Sequence, residues 1–369
     1  MTTSIDKLTA LGQSIWFDNI QRRMLNNGEM EAMIVRDEIR GVTSNPSIFN
    51  AAIGKSNDYD PELFALGGKG LKADKIFEGL AITDIRTATD LFRPLYEASQ
   101  GGDGYVSIEV NPHLAGDTEA TVEEARRLWE TVDRPNLMVK IPATPAGIPA
   151  ICRSIAAGIN INITLIFSLK RYAEVMSAYL DGLEERLGTG HSVDRLASVA
   201  SFFVSRIDNK VDGYLDRVIA SGGKQAGLAQ SLKGKLAIAN ARLAFRQYRQ
   251  VFEGPRFAGL ASRGAGRQRP LWASTSTKNP AYRDVLYVES LIGPGTINTV
   301  PPQTLQAFLD HGRAELTIEN DLDSAERDFR DLAAVGISFD QVTQELEDEG
   351  VKAFADSYDA LIETISGRI

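Results

Sequence analysis

Eight short runs of apolar and β-branched residues, each separated from the next by a longer stretch, leave this chain few architectures to choose from. The runs are Ser14–Ile20, Arg40–Asn45, Tyr105–Val110, Leu137–Ala143, Asn160–Phe167, Ala197–Ile207, Pro270–Thr277 and Tyr287–Ile292. Between them lie amphipathic stretches. Asp117 and Ser168 stand where helix N-caps belong, ahead of Thr118–Thr131 and Leu169–Leu187. Strand–helix alternation implies a mainly parallel sheet, because parallel neighbours need a long crossover. Eight such repeats in 369 residues fit an α/β fold of the (β/α)8 TIM barrel type. A doubly wound open sheet is the alternative. No GxGxxG follows the first run and no GxxxxGK[ST] occurs, which weakens its nucleotide-binding form. The expected organisation is a single barrel domain over 1–369, with helical insertions near 50–100 and 209–268. The second insertion is expected to hold a long helix over Gly227–Phe252 and then a mobile basic loop over Ala261–Arg267. A helical tail over 321–369 is divided near Gly336 and Gly350.

The fourth run carries the feature that points to chemistry. Side chains alternate along a strand, so Met138, Lys140 and Pro142 share one face and Leu137, Val139 and Ile141 the other. If both faces are covered, Lys140 is held out of water. Burial disfavours an ammonium and favours the neutral amine, a nucleophile for carbonyl carbon. A lysine snorkelling at a strand end or held in a structural ion pair is the alternative for this residue taken alone.

The same parity groups polar residues on other strands. Trp16 pairs with Asp18; Gly41 and Thr43 with Asn45; Ser107 with Glu109; Asn160 and Asn162 with Thr164; Ser201 with Phe203; and Trp272 with Ser274 and Ser276. In a barrel the apolar faces meet the helix ring and these faces point inward, near the carboxyl ends of the strands. Asp18, Asn45, Glu109, Lys140, Asn162, Thr164 and Ser201 would then converge on one pocket. A lysine between two carboxylates suits carbonyl chemistry: an iminium as electron sink, one acid to move protons at a substrate hydroxyl, another to handle the water lost and regained. Each residue alone has a structural alternative, such as a cap, an ion pair or a satisfied backbone group.

Composition narrows the partners. Net charge is −9, from 40 Lys and Arg against 49 Asp and Glu, which argues against nucleic acid or an anionic membrane surface as the main partner. The single cysteine, Cys152, allows no intrachain disulfide and suits a reducing, cytoplasmic setting. The segment Met1–Leu11 lacks an apolar signal core. His113, His191 and His311 lie far apart without metal-ligand spacing, so no metal site is expected. The oligomeric state is left open.

Taken together, Gly41-Val-Thr-Ser-Asn-Pro-Ser47, the Lys140 strand, Asn162-Ile-Thr-Leu-Ile-Phe-Ser168 and Ser201-Phe-Phe-Val-Ser-Arg-Ile-Asp208 resemble the transaldolases, in their larger bacterial subfamily. The resemblance runs in order from Asp18 to Ile292. It implies a (β/α)8 barrel with the Schiff-base lysine, Lys140, on the fourth strand, and Asp18 as the acid/base at the C4 hydroxyl. Glu109 and Thr164 would position the catalytic water. Asn45 and Asn162 match positions that hold substrate hydroxyls, Phe203 a pocket aromatic, and Ser201 and Arg206 part of a phosphate site. In the family an arginine often follows two residues after the serine that is Ser274 here. That position is Ser276, and Lys278 stands two residues further on to supply the charge. The implied activity is transfer of a dihydroxyacetone unit between sugar phosphates. A class I aldolase releasing free dihydroxyacetone and a non-catalytic sugar-phosphate-binding barrel are the alternatives. The resemblance carries no need for a cofactor. Phe354 and Tyr358, one helical turn apart, suggest that the tail covers the barrel mouth.

Overall fold

A computed structural model describes residues 3–369 of the chain. Eight parallel strands close into a barrel in chain order: β1 (Ser14–Phe17), β2 (Gly41–Val42), β3 (Tyr105–Glu109), β4 (Leu137–Pro142), β5 (Ile161–Ile166), β6 (Ser198–Phe203), β7 (Arg269–Ala273) and β8 (Ile297–Val300). The expected (β/α)8 barrel is the observed fold. The helices ring the strands, and outward residues such as Val139, Ile141, Ile161 and Ile163 are fully buried beneath them. Asp117 and Ser168 cap their helices, accepting from the N–H groups of Ala120 and Arg171. No helix among the described residues is long and apolar enough to cross a membrane.

One strand of the sequence reading is wrong. Tyr287–Ile292 was expected to be the eighth strand, but Leu286–Ser290 is a helix and the ring closes through β8 at Ile297–Val300. Tyr287, Val288, Leu291 and Ile292 are all buried, and a short apolar run of that kind does not distinguish a strand from a helix turn. The other strands are also shorter than expected, and in three of them this moves site residues. β2 spans two residues, so Thr43–Asn45 leave the sheet. β6 stops at Phe203 and the chain turns into a helix over Ser205–Ser221, which moves Arg206 from a strand to a first helical turn. β7 stops at Ala273, and Ser274 takes a left-handed φ of 56°. The inward face of β7 is also displaced by one residue. Trp272 meets the ring of Phe202, which in turn meets Tyr172 of the surrounding helix, so Trp272 points outward.

The insertions and tail differ in detail. The long helix expected over Gly227–Phe252 is two, Ala226–Leu232 and Leu236–Phe252, and a further helix, Pro255–Ala261, leads into the expected basic loop. The tail is two helices, Leu322–Ala334 and Phe339–Ser366. Gly336 separates them as expected, but Gly350 lies inside the second. A Cβ on Gly350 would lie 2.9 Å from Cδ2 of Leu165, so this glycine lets the helix descend onto the end of β5.

The end of the barrel opposite that helix is closed by charge. Asp103 accepts from Ser14 Oγ (2.7 Å), Trp16 Nε1 (3.1 Å), Arg40 Nε (2.9 Å) and Arg269 Nη1 (3.1 Å). Arg269 also donates to Ser14 Oγ and to the Thr296 carbonyl. A Cβ on Gly41 would lie 2.6 Å from the Trp16 ring, so only glycine leaves room for that indole inside the ring. Replacing Asp103 by alanine leaves the half-buried guanidinium of Arg269 without its acid and that of Arg40 with Asp37 alone. Asp103→Ala is therefore expected to cost on the order of 3 kcal/mol in urea unfolding, with the Michaelis constant little changed because the cluster lies at the far end from the site described below.

Candidate active site

The inward residues at the carboxyl ends of the strands line a cavity of about 690 Å³. Lys140 stands on β4, 5% exposed. Its Nζ donates to the Ser44 carbonyl (3.2 Å) and lies 3.4 Å from Oε2 of Glu109, its register partner on β3. The ring of Phe354, from the helix Phe339–Ser366, lies 5.4 Å from Nζ. The amine thus has one carboxylate within ion-pair reach, one carbonyl, and an aromatic cover.

Asp18 follows β1 and lines the same cavity. Its N–H is fixed on the Val300 carbonyl (2.9 Å), and its carboxylate accepts from Thr43 Oγ1 at 2.6 Å. Thr43 in turn shares a 2.7 Å hydrogen bond with Thr299 of β8. Burial pushes the Asp18 carboxyl above its ordinary range, against the Thr43 hydrogen bond and the charges of Lys140 and Arg206. Thr164 lines the cavity with its hydroxyl buried and unpartnered among the described residues. A buried donor of this kind is costly to leave unmade and is ready for a bound oxygen.

Arg206, Ser274, Ser276 and Lys278 lie on the cavity wall. The guanidinium of Arg206 sits 5.0 Å from the centre of the Phe203 ring and forms no ion pair with any described residue. Burial works against its charge, and Asp18 and Glu349 oppose that effect from a distance. An anion entering here would supply the missing partner. Ser205 Oγ lies 2.9 Å from Ser274 Oγ. Lys278 is exposed at the rim and donates to Ser276 Oγ at 2.9 Å. Asn45 caps the helix Pro46–Gly54, accepting from Ile48 N–H, and also lines the cavity.

Two residues of the expected constellation lie off the cavity wall. Asn162 is buried beneath it, donating to Ser107 Oγ (3.0 Å) and accepting from Ser201 Oγ (2.7 Å). Ser201 itself reaches the wall. Glu109 borders a second, smaller cavity on the other side of Lys140. The histidines stand apart: His113 contacts Asp359, His191 contacts Thr189, and His311 contacts Asp284 and Asp310.

Sequence reasoning passed over Thr43, Thr299, Ser205 and Asn209, all on the cavity wall. Thr43 was legible, since it shares a face with Asn45. Thr299 was hidden by the misplaced eighth strand. Ser205 and Asn209, like Arg206, depend on where β6 ends and the next helix begins.

Burial raises the Glu109 carboxyl to about 7, although Lys140 pulls the other way. From its ordinary value of 4.5 up to about 7, the folded protein keeps a proton that the unfolded chain has released. The stabilisation this group contributes is therefore complete below the lower value and lost as pH rises through the higher one. The unfolding free energy of the unsubstituted protein, minus that of Glu109→Gln, should decline across this interval in urea titrations. A flat difference would contradict the raised value.

Residues 15–365 match the family described as Transaldolase/Fructose-6-phosphate aldolase. The chain is 47% identical over 364 residues to "Transaldolase 1" of Streptomyces avermitilis, covering 98% of this chain and 95% of that protein. It is 48% identical over 368 residues to the transaldolase of Acidothermus cellulolyticus, covering 99% and 97%. With the transaldolase of Trichodesmium erythraeum it shares 44% over 377 residues, covering 100% and 98%. Matched from end to end in this way, the chain belongs to the transaldolase/fructose-6-phosphate aldolase family, and its activity is that of a transaldolase.

Proposed function

We propose that Lys140 is the residue through which this transferase works, and that the three-carbon unit it carries is dihydroxyacetone. The donor and acceptor are sugar phosphates: sedoheptulose 7-phosphate and glyceraldehyde 3-phosphate interconvert with erythrose 4-phosphate and fructose 6-phosphate, in the non-oxidative pentose phosphate pathway. The observation that carries this proposal is a buried amine facing the cavity with a single carboxylate 3.4 Å away. The alternation of apolar wall and polar mouth, the acidic net charge and the single cysteine support a cytoplasmic enzyme of one barrel domain.

In this scheme the Lys140 amine adds to the ketone carbon, and loss of water gives an iminium that draws electrons from the adjacent carbon–carbon bond. Asp18 takes the proton of the C4 hydroxyl as the C3–C4 bond breaks, and the aldose leaves. The enamine left on Lys140 attacks the incoming aldehyde, and Asp18 returns the proton. Glu109 and Thr164 handle the water of imine formation and hydrolysis. Arg206, with Ser274 and Lys278 beside it, holds phosphate; lysine acts there as a point charge where an arginine would offer a fork. Asn45 and Phe203 shape the substrate cavity. Asn162 acts from beneath by fixing Ser201.

The enamine must meet an aldehyde before it meets a proton from water, which requires a covered site. The helix Phe339–Ser366 supplies the cover in this scheme. Lys210 holds it through Glu345 (2.9 Å) and Glu349 (2.5 Å), Arg171 through Glu347 (3.2 Å), and Tyr358 meets Phe77 edge-on.

Borohydride reduction in the presence of fructose 6-phosphate should fix a three-carbon or hexose adduct on Lys140, and Lys140→Met should abolish both adduct and turnover. Asp18→Asn should still give an adduct while kcat falls by about 10²–10⁴. Adduct formation by Lys140→Met would overturn the assignment. Phe354→Ala should raise the release of free dihydroxyacetone when acceptor is omitted, measured against aldose phosphate formed; an unchanged ratio would remove the cover from the scheme.

A further inference from the structure

The Lys140–Glu109 pair separates two spaces. Lys140 lines the 690 Å³ cavity and Glu109 does not; Glu109 lines a second cavity of about 310 Å³ and Lys140 does not. Asn45 borders both. The second cavity runs between the ends of β2 and β3 and the helices Ala73–Ala98, Thr118–Val132 and Phe339–Ser366. Glu109, Asn45 and Asn111 give it polar groups, Phe77 and Ala81 apolar ones, and Asp74, Lys75, Glu78, Glu124 and Arg127 charged ones, with Arg127 paired to Glu78.

We propose that this second cavity is the passage by which the water of the Schiff-base steps leaves and returns, with Glu109 at its inner end. The proposal rests on the assignment of Lys140 as the Schiff-base lysine. A sugar phosphate that has reached Lys140 fills the space in front of the amine. Water formed on the Glu109 side is then cut off from the substrate mouth by the sugar itself. The cavity that Glu109 lines is open to it, offers oxygen and amide partners at Glu109, Asn45 and Asn111, and carries charged side chains such as Glu78, Glu124 and Arg127 that can relay it onward.

The proton balance follows the same path. The Nζ lone pair adds to the ketone carbon, and a proton passing from the nitrogen to the carbonyl oxygen makes that oxygen a hydroxyl. The Glu109 carboxylic acid gives its proton to that hydroxyl, the C–O bond breaks and water departs. The nitrogen lone pair forms the C=N bond, and the carboxylate of Glu109 then faces the iminium. On hydrolysis a water enters from the second cavity. Glu109 takes one of its protons as the oxygen adds to the iminium carbon, and collapse of that adduct restores the ketone and the amine. Water thus arrives at the carbon bonded to Lys140, while the nucleophilic carbon of the enamine projects into the front cavity, beneath Phe354. A transferase gains from this arrangement, because the step that needs water and the step that must avoid it use different sides of one lysine.

Filling the passage without touching Glu109 tests the idea. Ala81 is buried on the wall, and Leu114 is partly exposed on it. In rapid-quench borohydride trapping with fructose 6-phosphate, Ala81→Leu and Leu114→Trp should each slow adduct formation about tenfold. The adduct level at long times and the thermal midpoint should stay unchanged. Leu114→Trp, at the more open position, stands as the second variant should the larger side chain at 81 fail to fold. Adduct formation at the unsubstituted rate in a folded, filled variant would overturn the passage and leave the Schiff-base assignment intact. Absence of any adduct in the unsubstituted protein would overturn the assignment and the passage with it.

Discussion

A primary amine held inside a ring of strands, with one carboxylate near it and one carbonyl, is the interaction on which the rest depends. The 3.4 Å separation of Lys140 and Glu109 is longer than a close ion pair, and burial works against the charge of that carboxyl. Neither group is held so firmly by the other that it is lost to chemistry. The barrel makes this possible. Parallel register sets Glu109 directly across from Lys140, and Asn162 on the next strand fills the space below with its own hydrogen bonds. A closed ring lets neighbouring strands supply neighbouring groups at fixed spacing, which a loop-built site does not provide.

Much of this was written in the alternation of side chains. Trp16 with Asp18, Ser107 with Glu109, and Asn162 with Thr164 share inward faces because the chain at the ends of β1, β3 and within β5 stays extended across each pair, with one apolar and one polar side. Parity fails where regularity ends. β7 stops before Ser274, so counting by twos toward Ser276 and Lys278 had no basis, although all three still reach the cavity from the turn. Trp272 was assigned the wrong side for the same reason. The last strand is missed because Tyr287, Val288, Leu291 and Ile292 form a short buried apolar run that resembles a strand in composition. The true β8 alternates modestly between Pro294-Gly295 and Pro301. The division of polar groups between two cavities was beyond parity altogether, because it depends on which helices leave space behind a strand.

The tail shows how a single residue type can mislead when read locally. Gly350 looks like a helix end in the sequence. In the fold it is the point where the helix Phe339–Ser366 must pass close to Leu165, and Leu165 itself adopts φ of 59° near the end of β5, where the register with β6 shifts. Close approach, not flexibility, accounts for the glycine. That approach sets the depth at which Phe354 meets Lys140.

The acidic knot at the other end has a consequence for how the ring comes together. Ser14, Arg40 and Asp103 lie at or just before the starts of the first three strands, while Arg269 and the Thr296 carbonyl lie at or just before the starts of the last two. A chain cut into two half-barrels would therefore divide the knot, leaving an aspartate on one fragment and a guanidinium on the other, each facing a partly dried interior. Such fragments carry in these groups a reason to find one another, and an intact chain carries the same reason to complete its circle in one cooperative step.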